Sequence, residues 1–148
     1  MDKPKISYFI QKDETTYSKQ DSAYIGTYTG TEELSVNLRI WNNYRGTEDV
    51  EDLENFNLVL YFLTEEDSAL LPYVTLSITD DIEIPSVIEE NVLVATFFNP
   101  ITLSGKKNTG SIDYARNYVN ITITFDAGAE AYLKDHDLKS MVLEIAEI

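Results

Sequence analysis

Apolar and polar residues alternate in two stretches that lie on either side of an acidic loop. In residues 33–41 the apolar positions recur at every second residue, which is the period of a β-strand with one wet face. In residues 55–63 the same alternation returns, but the intervening positions are apolar too, so this strand is expected to lie deeper in a sheet. We expect the two strands to pair, the first near a sheet edge and the second near a centre. The alternating apolar positions are Leu34, Val36, Leu38, Ile40, Phe56, Leu58, Leu60 and Phe62.

Further strand patterns follow along the chain, separated by turn residues. Residues 118–125 alternate most clearly, with Val119, Ile121, Ile123 and Phe125 on one face. Residues 91–98 are apolar at both sets of positions, which favours a strand inside the protein. The remaining candidates are residues 6–10, 23–28, 73–78, 82–84 and 141–145.

These patterns predict an all-β fold. We expect seven or eight of these stretches to form strands, and this number, with turn signals between them and no long helical period, is typical of an antiparallel two-sheet β-sandwich. A jelly roll is the alternative. Residues 11–22 are almost entirely polar, so we expect residues 1–32 to form an extended N-terminal arm with the first short strands. Residues 33–148 are then the β-sandwich domain.

The composition is that of one folded domain. The chain has 148 residues, of which 43% are hydrophobic and 11% aromatic. No stretch reaches the roughly 20 apolar residues that a membrane-spanning helix needs. The first residues are polar, so we expect no export by a signal peptide. The absence of cysteine excludes disulfides, cysteine zinc sites and thiol catalysis, and it is compatible with a reducing cytoplasm.

The formal net charge of −15 narrows the classes of partner. DNA and RNA are disfavoured because the chain lacks the clustered Lys and Arg that neutralise phosphates. An anionic membrane surface is disfavoured for the same reason. The charge is uneven, since no Lys or Arg occurs between Arg45 and Lys106, whereas 13 of the 26 acidic residues do. We therefore expect one strongly negative end or face.

The sequence does not predict catalysis. The single histidine, His136, stands between Asp135 and Asp137, which is typical of a solvated turn. No serine lies in a nucleophile-elbow context, and Gly-rich phosphate loops and His-x-x-x-His pairs are absent. We expect no catalytic residues and no cofactor.

A calcium site is the more plausible site chemistry, because hard cations bind clustered oxygen ligands. A solvated acidic loop explains the same residues, and no Asp-x-Asp-x-Asp-Gly loop occurs, so we favour the loop and predict no metal. The candidate ligands are Glu48, Asp49, Asp52 and Glu54, with Asp80 and Asp81 at another turn.

Two aromatic residues are candidates for a binding surface. Trp41 continues the outward series of its strand, and Tyr44 follows in the next turn. Together they are a possible contact for a protein partner or a flat stacking surface for a sugar ring. The alternative interpretation is that Trp41 covers the end of the core or packs under the acidic loop.

The strand, acidic loop and strand of residues 38–56 resemble those of small immunoglobulin-like proteins of tailed-bacteriophage virions. The run is Leu-Arg-Ile-Trp-Asn-Asn-Tyr-Arg-Gly-Thr-Glu-Asp-Val-Glu-Asp-Leu-Glu-Asn-Phe. The resemblance implies an immunoglobulin-like sandwich and a non-enzymatic virion component, made in the bacterial cytoplasm. Such a capsid decoration or head-tail accessory protein binds other virion proteins, in multiple copies of a symmetric assembly. A carbohydrate-binding or adhesion module that uses exposed aromatic residues is the alternative function.

Overall fold

The computed structural model describes residues 1–11, 17–20, 24–28, 35–78, 82–126, 129 and 138–147. These residues form eleven β-strands and two short 3-10 helices, Asp67–Tyr73 and Ala115–Asn117. Neither helix of this described part is long and apolar enough to cross a membrane. The strands are β1 (Ile6–Gln11), β2 (Tyr17–Gln20), β3 (Tyr24–Tyr28), β4 (Ser35–Asn42), β5 (Phe56–Phe62), β6 (Val74–Ile78), β7 (Ile82–Glu83), β8 (Ser86–Glu89), β9 (Val92–Ala95), β10 (Tyr118–Phe125) and β11 (Leu138–Glu147).

The strands form two sheets that pack against each other. One sheet has six strands in the order β2-β1-β4-β10-β6-β7, and the other has five in the order β3-β11-β5-β9-β8. All neighbouring strands are antiparallel. The predicted all-β, antiparallel two-sheet β-sandwich is therefore confirmed.

The predicted alternation places the core where it was expected. In β4 the side chains of Val36, Leu38 and Ile40 are buried, whereas those of Ser35 and Asn37 are exposed. Full burial of such an aliphatic side chain contributes about 1.5–3 kcal/mol to folding. The inward residues of both sheets form one apolar cluster, whose fully buried members include Ile40, Leu58, Leu60, Leu76, Ile121 and Ile123.

The expected pairing of the two strands beside the acidic loop is wrong. β4 lies between β1 and β10, whereas β5 lies between β11 and β9 in the other sheet. Residues 43–55 therefore connect the two layers instead of closing a hairpin. β5 is central in its sheet, as predicted, but β4 is not at an edge. The periodicity of a strand defines which face is buried, and it carries no information about the neighbouring strand.

Residues 1–32, expected to form an arm with the first short strands, contain three described strands that pair with the rest of the sandwich. β1 pairs with β2 and with β4, and β3 pairs with β11. The described strands of residues 1–32 are therefore part of the sandwich, and residues 12–16, 21–23 and 29–32 lie outside the described residues. β2 occupies a sheet edge, where a strand needs few apolar residues, and this explains why its polar sequence predicted an arm.

Strand β8 was not predicted, because Pro85 stands directly before it and proline usually interrupts a strand. β8 forms a hairpin with β9 through Glu90 and Asn91. Both turn residues have positive φ angles, 48° and 65°, as a two-residue type I′ turn requires. With β2 and β8 included, the described strands outnumber the seven or eight expected.

One hydrogen bond ties the two sheets together near the end of β11. The Ile145 backbone N–H donates to the Tyr8 hydroxyl oxygen, with 2.9 Å between nitrogen and oxygen. Burial raises the pKa of Tyr8, the bond from Ile145 lowers it, and the charge of Glu144 raises it. The net shift is upward, so the hydroxyl keeps its proton while it accepts this bond.

The substitution Tyr8→Phe is expected to lower the free energy of unfolding by about 1–3 kcal/mol, because it leaves the partly buried Ile145 N–H without its acceptor. Urea unfolding followed by tryptophan fluorescence measures this change. The matched control is Tyr118→Phe, which removes an exposed 2.7 Å bond to the Ile112 carbonyl oxygen. Water replaces that bond, so the control is expected to lose less, and equal losses in the two variants would contradict the inter-sheet role of Tyr8.

Candidate functional site

The two aromatic candidates lie in contact at one end of the six-stranded sheet. Trp41 is near the end of β4 and is only 2% exposed, whereas Tyr44 is half-buried in the following turn. Their ring centroids are 5.1 Å apart in an edge-to-face arrangement. Tyr118 covers Trp41 from β10 at 4.7 Å, and Phe9 packs against Tyr44 at 4.6 Å. The Trp41 ring therefore offers no open face for stacking, in agreement with the alternative interpretation of this residue.

The positively charged side chain of Arg39 lies next to these rings. The Arg39 guanidinium lies 4.1 Å from the centre of the Tyr17 ring and 4.8 Å from that of Tyr118. Its Nε donates a 2.8 Å hydrogen bond to Asn120 Oδ1. Cation–π contacts of this kind contribute about 0.5–2 kcal/mol each. They join β2, β4 and β10 on the outer face of the sheet.

Four buried asparagines hold the loops at this end of the sandwich, and none of them was a predicted site residue. Asn42, Asn43, Asn108 and Asn117 are at most 9% exposed. We call them the asparagine network. The Asn42 side chain accepts a bond from the Lys5 backbone N–H at 2.9 Å. Its amide donates to the carbonyl oxygens of Glu51 at 3.0 Å and Leu103 at 3.1 Å.

The other three asparagines connect the loop of residues 43–55 to the loop of residues 103–117. Asn43 Nδ2 donates to the carbonyl oxygens of Glu48 and Gly105. Asn108 Oδ1 accepts from two backbone N–H groups, and its Nδ2 donates to the Asn43 carbonyl oxygen at 2.8 Å. Asn117 Nδ2 lies 2.8–3.3 Å from three carbonyl oxygens, those of Asn42, Ser104 and Lys106. One amide supplies both donors and an acceptor, which is why asparagine suits a buried loop backbone.

The acidic loop uses two of its carboxylates for the same purpose. Asp52 Oδ1 accepts from the Gly105 N–H at 2.8 Å, and Asp49 Oδ1 accepts from the Lys107 N–H at 2.9 Å. Within the described ranges no three Asp, Glu or His side chains converge to hold a metal ion. The other candidates of the sequence analysis, Asp80, Asp81 and His136, lie outside the described residues.

A polar cleft of about 420 Å³ lies beside Tyr44. Its walls carry the basic side chains of Lys5, Lys19 and Arg45 together with acidic ones, among them Glu48 and Asp49. Charges of both signs are therefore mixed in the cleft. It lies at the same end of the sandwich as the asparagine network, whose Asn43 is part of its wall.

The outer face of strands β5, β8 and β9 is largely apolar. The strand register places Val59, Val94 and Val87 side by side, with Tyr61 and Val92 in the next row. We call these five residues the valine face. Most of them are half-buried, and Val87 is 58% exposed. The outer face of an antiparallel sheet is usually polar when water covers it, and the described residues form only two layers. The valine face is therefore available for contact.

Acidic side chains flank the valine face. Glu144 of β11 lies opposite Val59 of β5, and Glu89 of β8 lies opposite Val92 of β9. Desolvation raises the pKa of Tyr61, and the charge and hydrogen bond of Glu144 raise it further. The face therefore combines apolar side chains with a negative margin, which is a pattern of protein contact surfaces.

An apolar groove lies beside Pro85, directly before β8. It has a volume of about 370 Å³ and is lined by Ile78, Ile82, Pro85, Phe98, Pro100 and Ile101, among others. Phe98 is 83% exposed and Ile82 is 57% exposed. A large exposed aromatic side chain beside other apolar groups is a frequent feature of binding surfaces.

Comparisons with known proteins found no related protein. No family model, no curated protein and no solved structure matches the chain.

The network predicts that Asn117→Asp strongly destabilises the fold. An oxygen in place of Nδ2 would face the three carbonyl oxygens that now accept from the amide, so we expect a loss of about 3 kcal/mol or more. The matched control is Asn120→Asp, whose carboxylate still accepts from Arg39 Nε. Urea unfolding of both variants measures the difference. A small loss in Asn117→Asp would show that the network does not stabilise these loops.

Proposed function

We propose that the chain is a non-enzymatic structural component of a tailed-bacteriophage virion, a capsid decoration or head-tail accessory protein that acts through protein–protein contacts. The observation that carries the proposal is the valine face. Its strands β5 and β9 are apolar on both sides, yet only their inner sides are covered by the described layers. A partner subunit on the outer side completes the burial that these sequences encode.

The energetics of burial support this assignment. Removing apolar surface from water contributes about 25 cal/mol per Å², and stable protein interfaces bury about 800 Å² on each partner. The valine face supplies the apolar centre of such an interface, and the exposed Phe98 and Ile82 line a separate groove beside the start of β8. The acidic residues at its margin supply a polar rim.

The resemblance of residues 38–56 to immunoglobulin-like virion proteins supports the phage assignment. The net charge of −15 would repel packaged DNA, and this favours a position on the outside of the particle, against capsid or tail subunits. Repeated copies in a symmetric shell or tube would each use the same surface.

The described strands at the N-terminus do not form this contact, because β1 and β2 pair within the six-stranded sheet of the same chain. The contact with neighbours is therefore assigned to the valine face and not to an arm.

A carbohydrate-binding module is the alternative function. Trp41 is buried, so its ring cannot stack on a sugar. A contact between a sugar and Tyr44 beside the polar cleft stays a prediction. No measured feature favours it over protein contacts, because the mixed charges of the cleft select no ligand class.

The proposal predicts that the chain is present in virions and that Val94→Lys removes it. Particles are purified by density gradient from cells that carry the complete phage genome, and the copy number per major capsid protein is measured by quantitative mass spectrometry. A buried lysine at the centre of the contact is expected to lower this copy number at least tenfold, because an unpaired charge is costly to desolvate.

Thr75→Lys is the matched control, since it adds the same charge to a half-buried position on the outer face of the other sheet. It is expected to leave the copy number unchanged. Unfolding midpoints of both purified variants confirm that they are folded. Absence of the expressed wild-type chain from the particles would refute the proposed function.

A further inference from the structure

Strand β8 forms a free edge of the five-stranded sheet. Among the described strands it has one neighbour, β9, and all four of its residues are exposed. The Thr96 N–H donates to the Pro85 carbonyl oxygen at 2.9 Å, which fixes the phase of the antiparallel ladder. Because bonded and non-bonded pairs alternate, the backbone groups of Val87 and Glu89 point to β9.

The backbone N–H and C=O groups of Ser86 and Ile88 therefore point away from the sheet. They form the row of donors and acceptors that a further strand would bond. The side chains beside this row are apolar, since Val87 is 58% and Ile88 is 46% exposed. The groove with Phe98 begins next to Pro85, at the start of the same strand.

Natural sheet edges are usually protected against such pairing. β8 has some protection, because it is short, follows a proline and ends in Glu89. Its centre, however, carries two exposed apolar residues, Val87 and Ile88, where a protected edge would carry charge. The edge is therefore suited to a specific partner strand, and its ends limit uncontrolled aggregation.

We propose that the β8 edge binds an extended apolar segment of a partner protein that is flanked by Lys or Arg. This inference rests on the proposed function and names the chemistry of the partner. The segment adds a sixth strand to the sheet, bonds Ser86 and Ile88 through its backbone, and continues the valine face with its own side chains.

Charge determines the choice of partner. Glu83, Glu89 and Glu90 lie around the edge and the groove, and no Lys or Arg occurs in residues 46–105. Basic residues that flank the incoming strand would pair with these carboxylates and increase the rate of association. A second copy of this chain would bring the same carboxylates together, on top of a charge of −15 for each copy.

The test uses the full-length chain and three fluorescent peptides. The first alternates threonine and valine and has two lysines at each end. The second has glutamates in place of the lysines, and the third has the lysines but a central proline that prevents strand pairing. Fluorescence anisotropy is expected to show that the first peptide binds at least tenfold more tightly than either of the others, and that added salt weakens its binding.

The decisive variant is Ile88→Pro, which removes an outward N–H without removing a bond to β9. It is expected to weaken binding of the lysine peptide at least tenfold, whereas the control Ile88→Val, which keeps the N–H, binds as the wild type does. The double variant Glu83→Gln/Glu89→Gln is expected to weaken binding and to reduce its salt dependence. Unchanged binding of the lysine peptide by folded Ile88→Pro would overturn the inference.

Hydrogen exchange on the wild-type chain provides the readout if Ile88→Pro fails to fold. The lysine peptide is expected to slow exchange of the Ile88 amide and to leave that of Val87, already bonded to β9, unchanged. Equal binding of the lysine and glutamate peptides overturns the inference. A dimer of the chain in sedimentation velocity overturns the inference as well, if Ile88→Pro abolishes the dimer or if dimer formation slows exchange of the Ile88 amide without peptide. Either result would assign the β8 edge to a second copy of the chain.

The two proposals fail separately. A chain that is absent from virions but binds the lysine peptide at β8 would refute the virion assignment alone. A chain that is present in virions but binds no peptide at β8 would refute the edge assignment alone.

Discussion

The hydrogen-bonding demand of buried loop backbone is the constraint on which this end of the sandwich depends. The loop of residues 43–55 crosses from one sheet to the other, and the loop of residues 103–117 lies against it. Leu53 and Leu103 exchange two backbone hydrogen bonds across this crossing, but other carbonyl and N–H groups of the loops have no strand partner, and each unsatisfied group would cost about 1–3 kcal/mol. The asparagine network supplies the missing partners, and no buried side-chain nitrogen or oxygen of the described residues lacks a hydrogen bond. The hydrogen bonds of the asparagine network therefore fix the loops that connect the two sheets at this end of the sandwich.

Local periodicity predicted the strands and the burial of their faces. Ile121 and Ile123 of β10 are fully buried, as their alternation with threonine indicated, and the two-sheet architecture followed from the number of such strands. The pairing of strands was not predictable in the same way. β4 and β5 are adjacent in sequence and lie in different sheets, because the partner of a strand depends on contacts that the alternation of its side chains does not encode.

The candidate site was predictable only in part. Trp41 and Tyr44 are in contact, as their spacing suggested, but the rings of Tyr118 and Phe9 that enclose them come from distant strands. The asparagine network has partners as far as 75 residues apart in the chain, so the sequence shows only polar residues in turn-rich runs. The valine face did leave a signal, since apolar residues at both sets of positions in β5 and β9 were visible. Such residues predicted strands covered on both faces. The described residues form only two layers, so the outer faces of β5 and β9 have no layer over them in this part of the chain.

The place of β11 in the five-stranded sheet has a consequence for synthesis on the ribosome. This strand lies between β3 and β5, although it is translated after every other described strand. Until it emerges, the nascent chain has two separate parts of one sheet, and the side of β5 that will bond β11 stays open. Such pairings between distant segments form slowly, so completion of the five-stranded sheet is expected to be a late and slow step of folding.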